Sequence, residues 1–335
     1  MSTTYRDALR QALHDAMEAD ASVILLGEEV GRYGGAYGVS KGLLDAFGAE
    51  RVIDAPISEA GIVGAAVGAA MTGLRPVAEI MYVDFLALAM DQLANQAAKS
   101  RYMFGGQIGV PMVLRTQGGT GRSAAAQHSQ SLEAWAMHVP GLRVAVPGTV
   151  SDAYHLLRAA IDDPDPVVFV EHKGLYTLKG EVAGAPDAPW GQPVVRRRGG
   201  DLTVATYGRM LHEALAAAER AAPGIEVEVI DLRTLNPLDE APLMDSVRRT
   251  GRCLVVCEAP VTGSAASEIA ARVTEACFDW LEEPPMRLGG EEVPVPVAPA
   301  LERAAVPDAA LIEAVARWLV LREAPAWGEG AAWVA

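Results

Sequence analysis

The hydrophobic pattern predicts two successive runs of alternating strands and helices. Residues 22–26, 75–80, 110–115 and 167–171 are short, nearly continuous apolar segments rather than alternating ones. Strands of this kind are buried on both faces, and the segments between them repeat apolar residues at helical spacing. The order strand, helix, strand, helix predicts an α/β fold with parallel sheets that helices cover on both faces.

A stretch rich in glycine and proline interrupts this pattern between Lys173 and Asp201. Such composition is typical of connections without regular structure. The pattern therefore predicts a first α/β domain over residues 1–180, a linker over 181–200 and a second α/β domain over 201–335. The second domain shows no charged cluster of catalytic type, which favours docking or subunit contact. Its last residues, with Trp327 and Trp333, are open to packing on a neighbour or to being loose.

The stretch 53–73, IDAPISEAGIVGAAVGAAMTG, is the centre of the first domain. Pro56 disfavours the helical region for Ala55, so the chain stays extended there. Ser58 is a helix N-cap residue by type, which makes Glu59 the first residue of the predicted helix.

Three glycines at positions 61, 64 and 68 leave one face of this helix nearly bare. Each costs about 1 kcal/mol relative to alanine, and close packing by another element is the natural reason for them. The apolar run is too short to span a membrane. Glu59 is the one carboxylate at the start of this helix. A first-turn acid that complements the helix dipole, worth about 0.3–1 kcal/mol, is the structural alternative to a functional role.

Two loops follow strand ends, which is where open α/β sheets bind ligands. The first, Gly27–Leu43, is rich in glycine but matches neither common nucleotide-binding pattern, and a plain surface loop is equally compatible. The second, Gln117–Ala126, leads to His128, just before a helix predicted from about Ser131. A histidine beside a flexible glycine loop is a candidate proton donor, although isolated histidines are commonly structural.

An acidic turn, Asp162–Pro166, follows a predicted helix over Val150–Ile161. Its carboxylate and carbonyl oxygens are suited to capping the helix end, binding a cation or facing solvent. The sequence does not choose among these three roles.

Composition narrows the class of partner. The 335 residues carry a net charge of −15 without a basic stripe, which argues against nucleic acid and anionic membranes. Cys253, Cys257 and Cys277 have no zinc-ligand or redox spacing and are expected to be buried free thiols in a reducing compartment. The first residues predict an amphipathic helix rather than a signal peptide, and no segment predicts a membrane span. The cytoplasm is the expected location.

Several stretches, in order over nearly the whole chain, resemble one family. They are GEEVGRYGGAYGVSKGL at Gly27, RVIDAPISEAGIVGAAVGAAMTGLRPVAEI at Arg51, DFLALAMDQLANQAAKSRYMFGG at Asp84, VPMVLRT at Val110, AAQHSQSLEAWAMHVPGL at Ala125, AAIDDPDPVVFVEHKGLY at Ala159 and DLRTLNPLD at Asp231. The family is the beta subunit of the thiamine-diphosphate-dependent decarboxylating component of 2-oxo acid dehydrogenase complexes.

The resemblance implies a pyrimidine-binding transketolase-like domain followed by a transketolase C-terminal-like domain. It implies that Glu59 and His128 are catalytic. Glu59 would hydrogen-bond a ring nitrogen of the aminopyrimidine and favour its imino tautomer. His128 would face the thiazolium side and assist acyl transfer to a lipoyl group. Ile57, Met81 and Phe85 would line the aminopyrimidine pocket with them. A potassium site, mainly of backbone oxygens, is implied at Met112, Ala160, Ile161, Asp163 and Asp165, although Pro164 alters that turn.

The chain lacks the GDG motif and asparagine pair that hold magnesium and the diphosphate in this cofactor class. The resemblance therefore implies that an alpha subunit supplies them in an α2β2 heterotetramer. A lipoyl acyltransferase would dock through its peripheral-subunit-binding domain. Pyruvate is the favoured substrate, with acetoin or a branched-chain 2-oxo acid as alternatives. A non-catalytic scaffold is the hypothesis of a different class.

Overall fold

The computed structural model describes residues 2–323 and divides the chain into two compact units. The first runs to Gly119 and resumes over Trp135–Trp190, whereas the second takes Thr120–Ala134 and continues from Gly191. The segment Thr120–Ala134 thus differs from the predicted division, because its backbone bonds to side chains of the second unit. The prediction for Trp327 and Trp333 falls outside the described residues.

The first unit is built on a parallel sheet. Its strands are β1 (Ser2–Thr4), β2 (Val23–Glu28), β3 (Val52–Ala55), β4 (Arg75–Ile80), β5 (Val113–Gly118), β6 (Arg143–Ala145), β7 (Val167–His172) and β8 (Lys179–Glu181). Its helices are α1 (Tyr5–Ala19), α2 (Leu43–Phe47), α3 (Glu59–Met71), α4 (Leu86–Asp91), α5 (Ala98–Met103), α6 (Glu133–Met137, which begins in the second unit) and α7 (Val150–Asp162). A π-helical segment, Gln92–Ala97, joins α4 to α5.

Six parallel strands lie in the order β6-β7-β5-β4-β2-β3, and the short β1 pairs antiparallel with β8. Side chains of α1, α7 and the sheet form a core that includes Leu9, Leu13, Leu157 and Phe169. The side chain of Thr4 accepts a hydrogen bond from the backbone N–H of Asp7, which caps α1. These observations confirm the predicted α/β fold.

The position of β2 decides which loops of the first unit are neighbours. β2 lies between β3 and β4, and its Gly27 is paired with Asp54 on one side and Glu79 on the other. Parallel strands end at the same edge of a sheet, where open α/β sheets bind their ligands. The segments that follow β2, β3 and β4 therefore begin side by side.

The second unit repeats the architecture with a smaller sheet. Its strands are β9 (Val194–Arg197), β10 (Leu202–Thr206), β11 (Val227–Asp231), β12 (Thr234–Asn236), β13 (Cys253–Pro260) and β14 (Met286–Gly290), and its helices are α8 (Met210–Ala221), α9 (Ala241–Thr250), α10 (Ala265–Cys277), α11 (Pro299–Ala304) and α12 (Ala309–Leu321). The sheet order is β14-β13-β10-β11-β9, parallel except for β9. None of the helices described in either unit combines the length and the apolarity that crossing a bilayer requires.

Strand β9 corrects the prediction that 181–200 lacks regular structure. Its backbone pairs antiparallel with β11, and Arg196 forms a salt bridge of 3.0 Å with the buried Asp231. Arg197 donates a hydrogen bond to the carbonyl of Val227. The strand was not predicted, because its consecutive arginines interrupt the alternation of apolar and polar residues that is typical of a strand. The guanidinium groups of these arginines bond to partners about thirty residues later in the chain.

Replacing Gly119 at the end of β5 should destabilise the first unit. Gly119 has φ +83°, and a Cβ there would lie 2.0 Å from Nε2 of His172. We expect Gly119→Ala to lower the free energy of unfolding by about 2–5 kcal/mol, from left-handed strain plus overpacking. Gly73→Ala is the matched control, since Gly73 has φ +103° but open space around it. Its loss should be only about 1–2 kcal/mol. Denaturant titration compares the two, and equal losses would contradict the packing argument.

Candidate functional site

Three adjacent strand ends bring four of the five residues predicted to bind the cofactor to one edge of the first sheet. Ile57 and Glu59 follow β3, whereas Met81 and Phe85 follow β4. Glu28 is the last residue of β2, the strand between them. The fifth residue predicted for the cofactor site, His128, belongs to the second unit.

Glu59 is the first residue of α3, as the sequence predicts. Ser58 occupies the N-cap position, but its side chain makes no capping hydrogen bond. Glu59 is half-buried, and among residues 2–323 no group hydrogen-bonds or ion-pairs with its carboxylate. Nearby, the side chain of Ile57 is 73% exposed, which is unusual for an isoleucine. The β3–α3 connection therefore offers a carboxylate and an apolar side chain that are both available to a ligand.

Glu28 is a titratable neighbour that the sequence did not single out. Burial raises its pKa, and the negative charges of Glu29 and Glu59 raise the pKa further. Glu28 thus holds a proton more readily than an ordinary glutamate, within electrostatic reach of Glu59. The sign that could have identified Glu28 is its position at the end of β2. In the sheet, β2 lies next to β3, the strand that leads into Glu59.

The segment after β4 forms an aromatic and aliphatic wall. Met81 and Phe85 are half-buried, and Phe85 ends a short 3-10 turn, Val83–Phe85, that leads into α4. Between them, the ring of Tyr82 lies edge-on to Tyr37, with 6.1 Å between centroids. The Lys173 ammonium lies 5.0 Å from the centroid of the Tyr82 ring, a cation–π distance. These contacts hold the wall beside the carboxyl end of β4.

A buried ion-pair network lies behind this wall. Arg115 of β5 is fully buried and bonds Glu79 of β4 at 2.7 Å and Glu171 of β7 at 2.6 Å. Gln117 donates to the other oxygen of Glu79, and the Tyr176 hydroxyl donates to Glu171 at 2.6 Å. Burial raises the pKa of Glu171, although the positive charge of Arg115 opposes that effect. One guanidinium therefore joins three neighbouring strands. In the sequence, the network shows only as charged residues inside otherwise apolar strands, a pattern from which it was not predicted.

His128 lies in a turn, and the helix predicted from about Ser131 follows it with a start two residues later. Its backbone N–H donates to the carbonyl of Ala125 at 3.3 Å, and α6 begins only at Glu133. The intervening residues through Leu132 have no regular structure. His128 is half-buried.

The residues of the implied potassium site come together at the end of α7 and the start of β7. The guanidinium of Arg75 donates to the carbonyls of Ile161 at 2.8 Å and Asp163 at 3.3 Å. The carbonyl of Met112 accepts from the backbone N–H of Val167, and that of Ala160 from Asp163. Each carbonyl oxygen has a second lone pair, so the donor set suits a hard cation, but the Arg75 charge already occupies two of these oxygens.

Arginines also pair the carboxylates of the acidic turn. Arg143 contacts Asp163 at 3.0 Å and Asp165 at 3.1 Å, and Arg101 contacts Asp165 at 2.5 Å. Burial raises the pKa of Asp163. For Asp165 burial acts in the same direction, but hydrogen bonds from Arg143 and Arg101 outweigh it and lower the pKa. The turn is thus an ion-pair cluster, which differs from the three roles that its sequence suggests.

Known families match most of each unit. The family Transketolase, pyrimidine binding domain, matches residues 1–179, and the family Transketolase, C-terminal domain, matches residues 191–312. A solved structure titled "Split gene transketolase, inactive beta4 tetramer" has a TM-score of 0.78 at 22% identity, covering 95% of this chain and 98% of that one. At this identity the likeness shows the fold alone.

Curated relatives are similar along most of the chain. Pyruvate dehydrogenase E1 component subunit beta of Rhizobium meliloti (strain 1021) is 47% identical over 93% of this chain and 69% of its own length. Acetoin:2,6-dichlorophenolindophenol oxidoreductase subunit beta of Cupriavidus necator is 46% identical over 92% and 95%. 2-Oxoisovalerate dehydrogenase subunit beta of Bacillus subtilis (strain 168) is 44% identical over 94% and 98%. These similarities confirm the resemblance found in the sequence.

Removing the charge of Arg115 should destabilise the first unit strongly. Arg115→Met leaves Glu79 and Glu171 buried without their cation, and breaking a buried ion pair costs about 3–5 kcal/mol. Denaturant titration measures the loss. Arg32→Met is the control, because Arg32 is exposed and its side chain has no ion pair among residues 2–323. Its effect should stay within about 0.5 kcal/mol. Comparable stability of the two variants would contradict the role assigned to the network.

Proposed function

Because this chain belongs to the family of beta subunits of the decarboxylating component of 2-oxo acid dehydrogenases, we propose that it supplies the aminopyrimidine half of a thiamine diphosphate site. With an alpha subunit it decarboxylates a 2-oxo acid and passes the acyl group to a lipoyl carrier. The observation that carries this proposal is the carboxylate of Glu59, which begins α3 without a partner among the described residues.

The residues at this edge fit the aminopyrimidine end of the cofactor. A flat heteroaromatic ring needs apolar contacts on its faces and a hydrogen-bonding group at its edge. Ile57, Met81 and Phe85 offer the apolar contacts, and Glu59 would hold a proton at a ring nitrogen. When bound, thiamine diphosphate supplies the electron sink for decarboxylation. His128 would assist transfer of the acyl group to the lipoyl carrier.

Magnesium and the diphosphate are assigned to the alpha subunit. Among residues 2–323, the one group of three side chains spaced to share a metal ion is His14, Asp15 and Glu18 of α1. No such group lies at the end of β2, β3 or β4 in this part of the chain. The missing GDG motif supports the same assignment.

The exposed side of α3 supports assembly with an alpha subunit in an α2β2 heterotetramer. Gly61, Ala65, Gly68 and Thr72 recur at helical spacing and are exposed. Two helices can approach closely over such small residues. The acidic net charge would favour docking of a lipoyl acyltransferase through a basic peripheral-subunit-binding domain. The three cysteines are free and buried, which supports a reducing compartment, and we propose the cytoplasm.

Pyruvate is the proposed substrate, and acetoin or a branched-chain 2-oxo acid are the alternatives. Overall identity does not separate them, because the named relatives of the three kinds differ only between 44% and 47%. A scaffold without activity is disfavoured, because Glu59 keeps an available carboxylate and His128 is present.

Turnover by the reconstituted assembly tests the proposed function. The chain, co-expressed with its alpha subunit, is assayed with thiamine diphosphate, magnesium and an artificial electron acceptor on pyruvate, 2-oxoisovalerate and acetoin. We expect turnover on one of them, pyruvate first, and a loss of about a hundredfold or more in Glu59→Gln. Glu50→Gln, at an exposed carboxylate of the same unit, is the matched control. A stable heterotetramer that turns over none of the three would favour the scaffold hypothesis.

Potassium binding is tested by stability in different salts. If the carbonyls near Asp163 bind potassium, unfolding of the assembly should occur at a higher temperature in KCl than in choline chloride of equal ionic strength. The stabilisation grows with saturation and reaches about 2.7 kcal/mol at a hundred times the dissociation constant. Asp165→Asn should reduce the difference. Equal melting temperatures in the two salts would instead indicate that the guanidinium of Arg75, rather than potassium, is the cation bound to these carbonyls.

A further inference from the structure

The loop that carries His128 is held at its start by a buried carboxylate of α11. Glu302 is 3% exposed. One of its oxygens accepts the backbone N–H of Gly121 at 2.9 Å, and both oxygens accept the N–H of Ser123 at 3.1 Å. The hydroxyl of Ser123 lies 3.4 Å from the second oxygen. Among the described residues no cation pairs with Glu302, so the loop itself satisfies this buried charge.

A second buried carboxylate holds the preceding residue. Glu258 of β13 is 8% exposed and accepts the backbone N–H of Thr120 at 2.5 Å. Arg209 lies 3.8 Å from the other oxygen of Glu258 and donates to the Thr120 hydroxyl at 3.3 Å. Bonds from backbone N–H groups to ionised carboxylates are shorter and stronger than those between neutral groups.

The far end of the loop is fixed in the same unit. Glu133, buried at the start of α6, accepts a hydrogen bond of 2.7 Å from the hydroxyl of Tyr207. Burial raises the pKa of Tyr207 well above its usual value, with the charge of Glu133 adding to the effect, so the phenol remains a donor. His128 therefore lies between two anchored ends.

The loop backbone adopts conformations that need such anchors. Gly121 has φ +92°, which glycine tolerates. Ser123 and Ala125 have φ +52° and +62°, which are uncommon for residues with a side chain. Such positions persist only where the surroundings over-determine them. The backbone N–H of Ser123 donates to both carboxylate oxygens of Glu302, and the carbonyl of Ala125 accepts a hydrogen bond from the N–H of His128.

We propose that Glu302 and Glu258 are positioning residues that fix the His128 loop to the second unit and thereby set the rate of acyl transfer to the lipoyl carrier. The effect on acyl transfer rests on the proposed function. The anchoring of the loop by the two glutamates does not depend on it. Two glutamates that follow the residues they hold by 138 and 181 positions thus act through His128 rather than on the substrate.

A purely structural role makes a different prediction. If the role were only structural, loss of any buried carboxylate in this unit would lower the free energy of unfolding. If Glu258 and Glu302 are anchors, their loss should change only the His128 loop and the transfer of the acyl group. Glu228 provides the comparison. It is 1% exposed, bonds Arg249 and the backbone N–H of Gly199, and has no bond to the loop.

Hydrogen exchange of the intact assembly with its alpha subunit tests the anchoring. In Glu302→Gln and Glu258→Gln we expect the peptide covering residues 119–133 to exchange about ten- to a hundredfold faster, because a carboxylate acceptor of backbone N–H groups is lost. Glu228→Gln should leave this peptide unchanged. Glu302→Asp keeps the charge and should lie between wild type and Glu302→Gln, which also covers the case that the glutamine variant fails to assemble.

Two activities of the same samples test the consequence. Transfer to a lipoyl domain should fall about tenfold or more in both anchor variants and in His128→Gln. In the two anchor variants, reduction of an artificial acceptor should change little. The double variant Glu302→Gln/His128→Gln should be no slower than His128→Gln alone. Unchanged exchange at 119–133, or faster exchange with normal transfer, would overturn the inference. Normal transfer in His128→Gln would instead refute the role proposed for His128, while the exchange data would still decide the anchoring.

Discussion

The ion pairs of Arg115 with Glu79 and Glu171 are the constraint on which the first unit depends. The carboxyl ends of all strands in a parallel sheet lie at one edge, so the polar groups that bind a ligand there lie next to one another. Buried carboxylates in adjacent strands would repel unless a cation lies between them. The fully buried guanidinium of Arg115 meets that requirement across β4, β5 and β7. The wall that starts at Met81 continues directly from the strand this network holds.

The carboxylates of the molecule fall into two groups. Glu79 and Glu171 are satisfied by a cation in the core, and Glu302 by the backbone of a loop, so each of them fixes a part of the chain. Glu59 and Glu28 lie at the strand ends without a partner among residues 2–323, and their charges act on each other. Internal pairing of the first group leaves the second available to a ligand, because no described side chain competes for it. Glu59 can therefore serve a cofactor while the scaffold stays rigid.

Local pattern was enough for much of the fold. The strand Arg75–Ile80 has the predicted bounds, and α7 begins at the predicted Val150 and ends one residue after the predicted Ile161, because continuous apolar runs and helical periodicity are properties of neighbouring residues. The start of α3 at Glu59 followed from Pro56 and Ser58. The failures involve distant partners: β9 forms because its arginines meet Val227 and Asp231, and the network of Arg115 joins residues 36 and 56 positions away. Pairings between residues this far apart cannot be predicted from a short stretch of neighbouring residues. The bonds from Glu258 and Glu302 to the His128 loop likewise join residues 138 and 181 positions apart.

We propose that the carboxylate of Glu59, which has no partner among residues 2–323, belongs to a thiamine diphosphate site shared with an alpha subunit. The most direct measurement is calorimetric titration of thiamine diphosphate and magnesium into the assembled protein, with wild type compared to Glu59→Gln. A hydrogen bond to a charged group is worth about 1.5–3 kcal/mol. The account therefore predicts binding about ten- to a hundredfold weaker in Glu59→Gln, with the assembly intact. Equal affinity of the two proteins would contradict it.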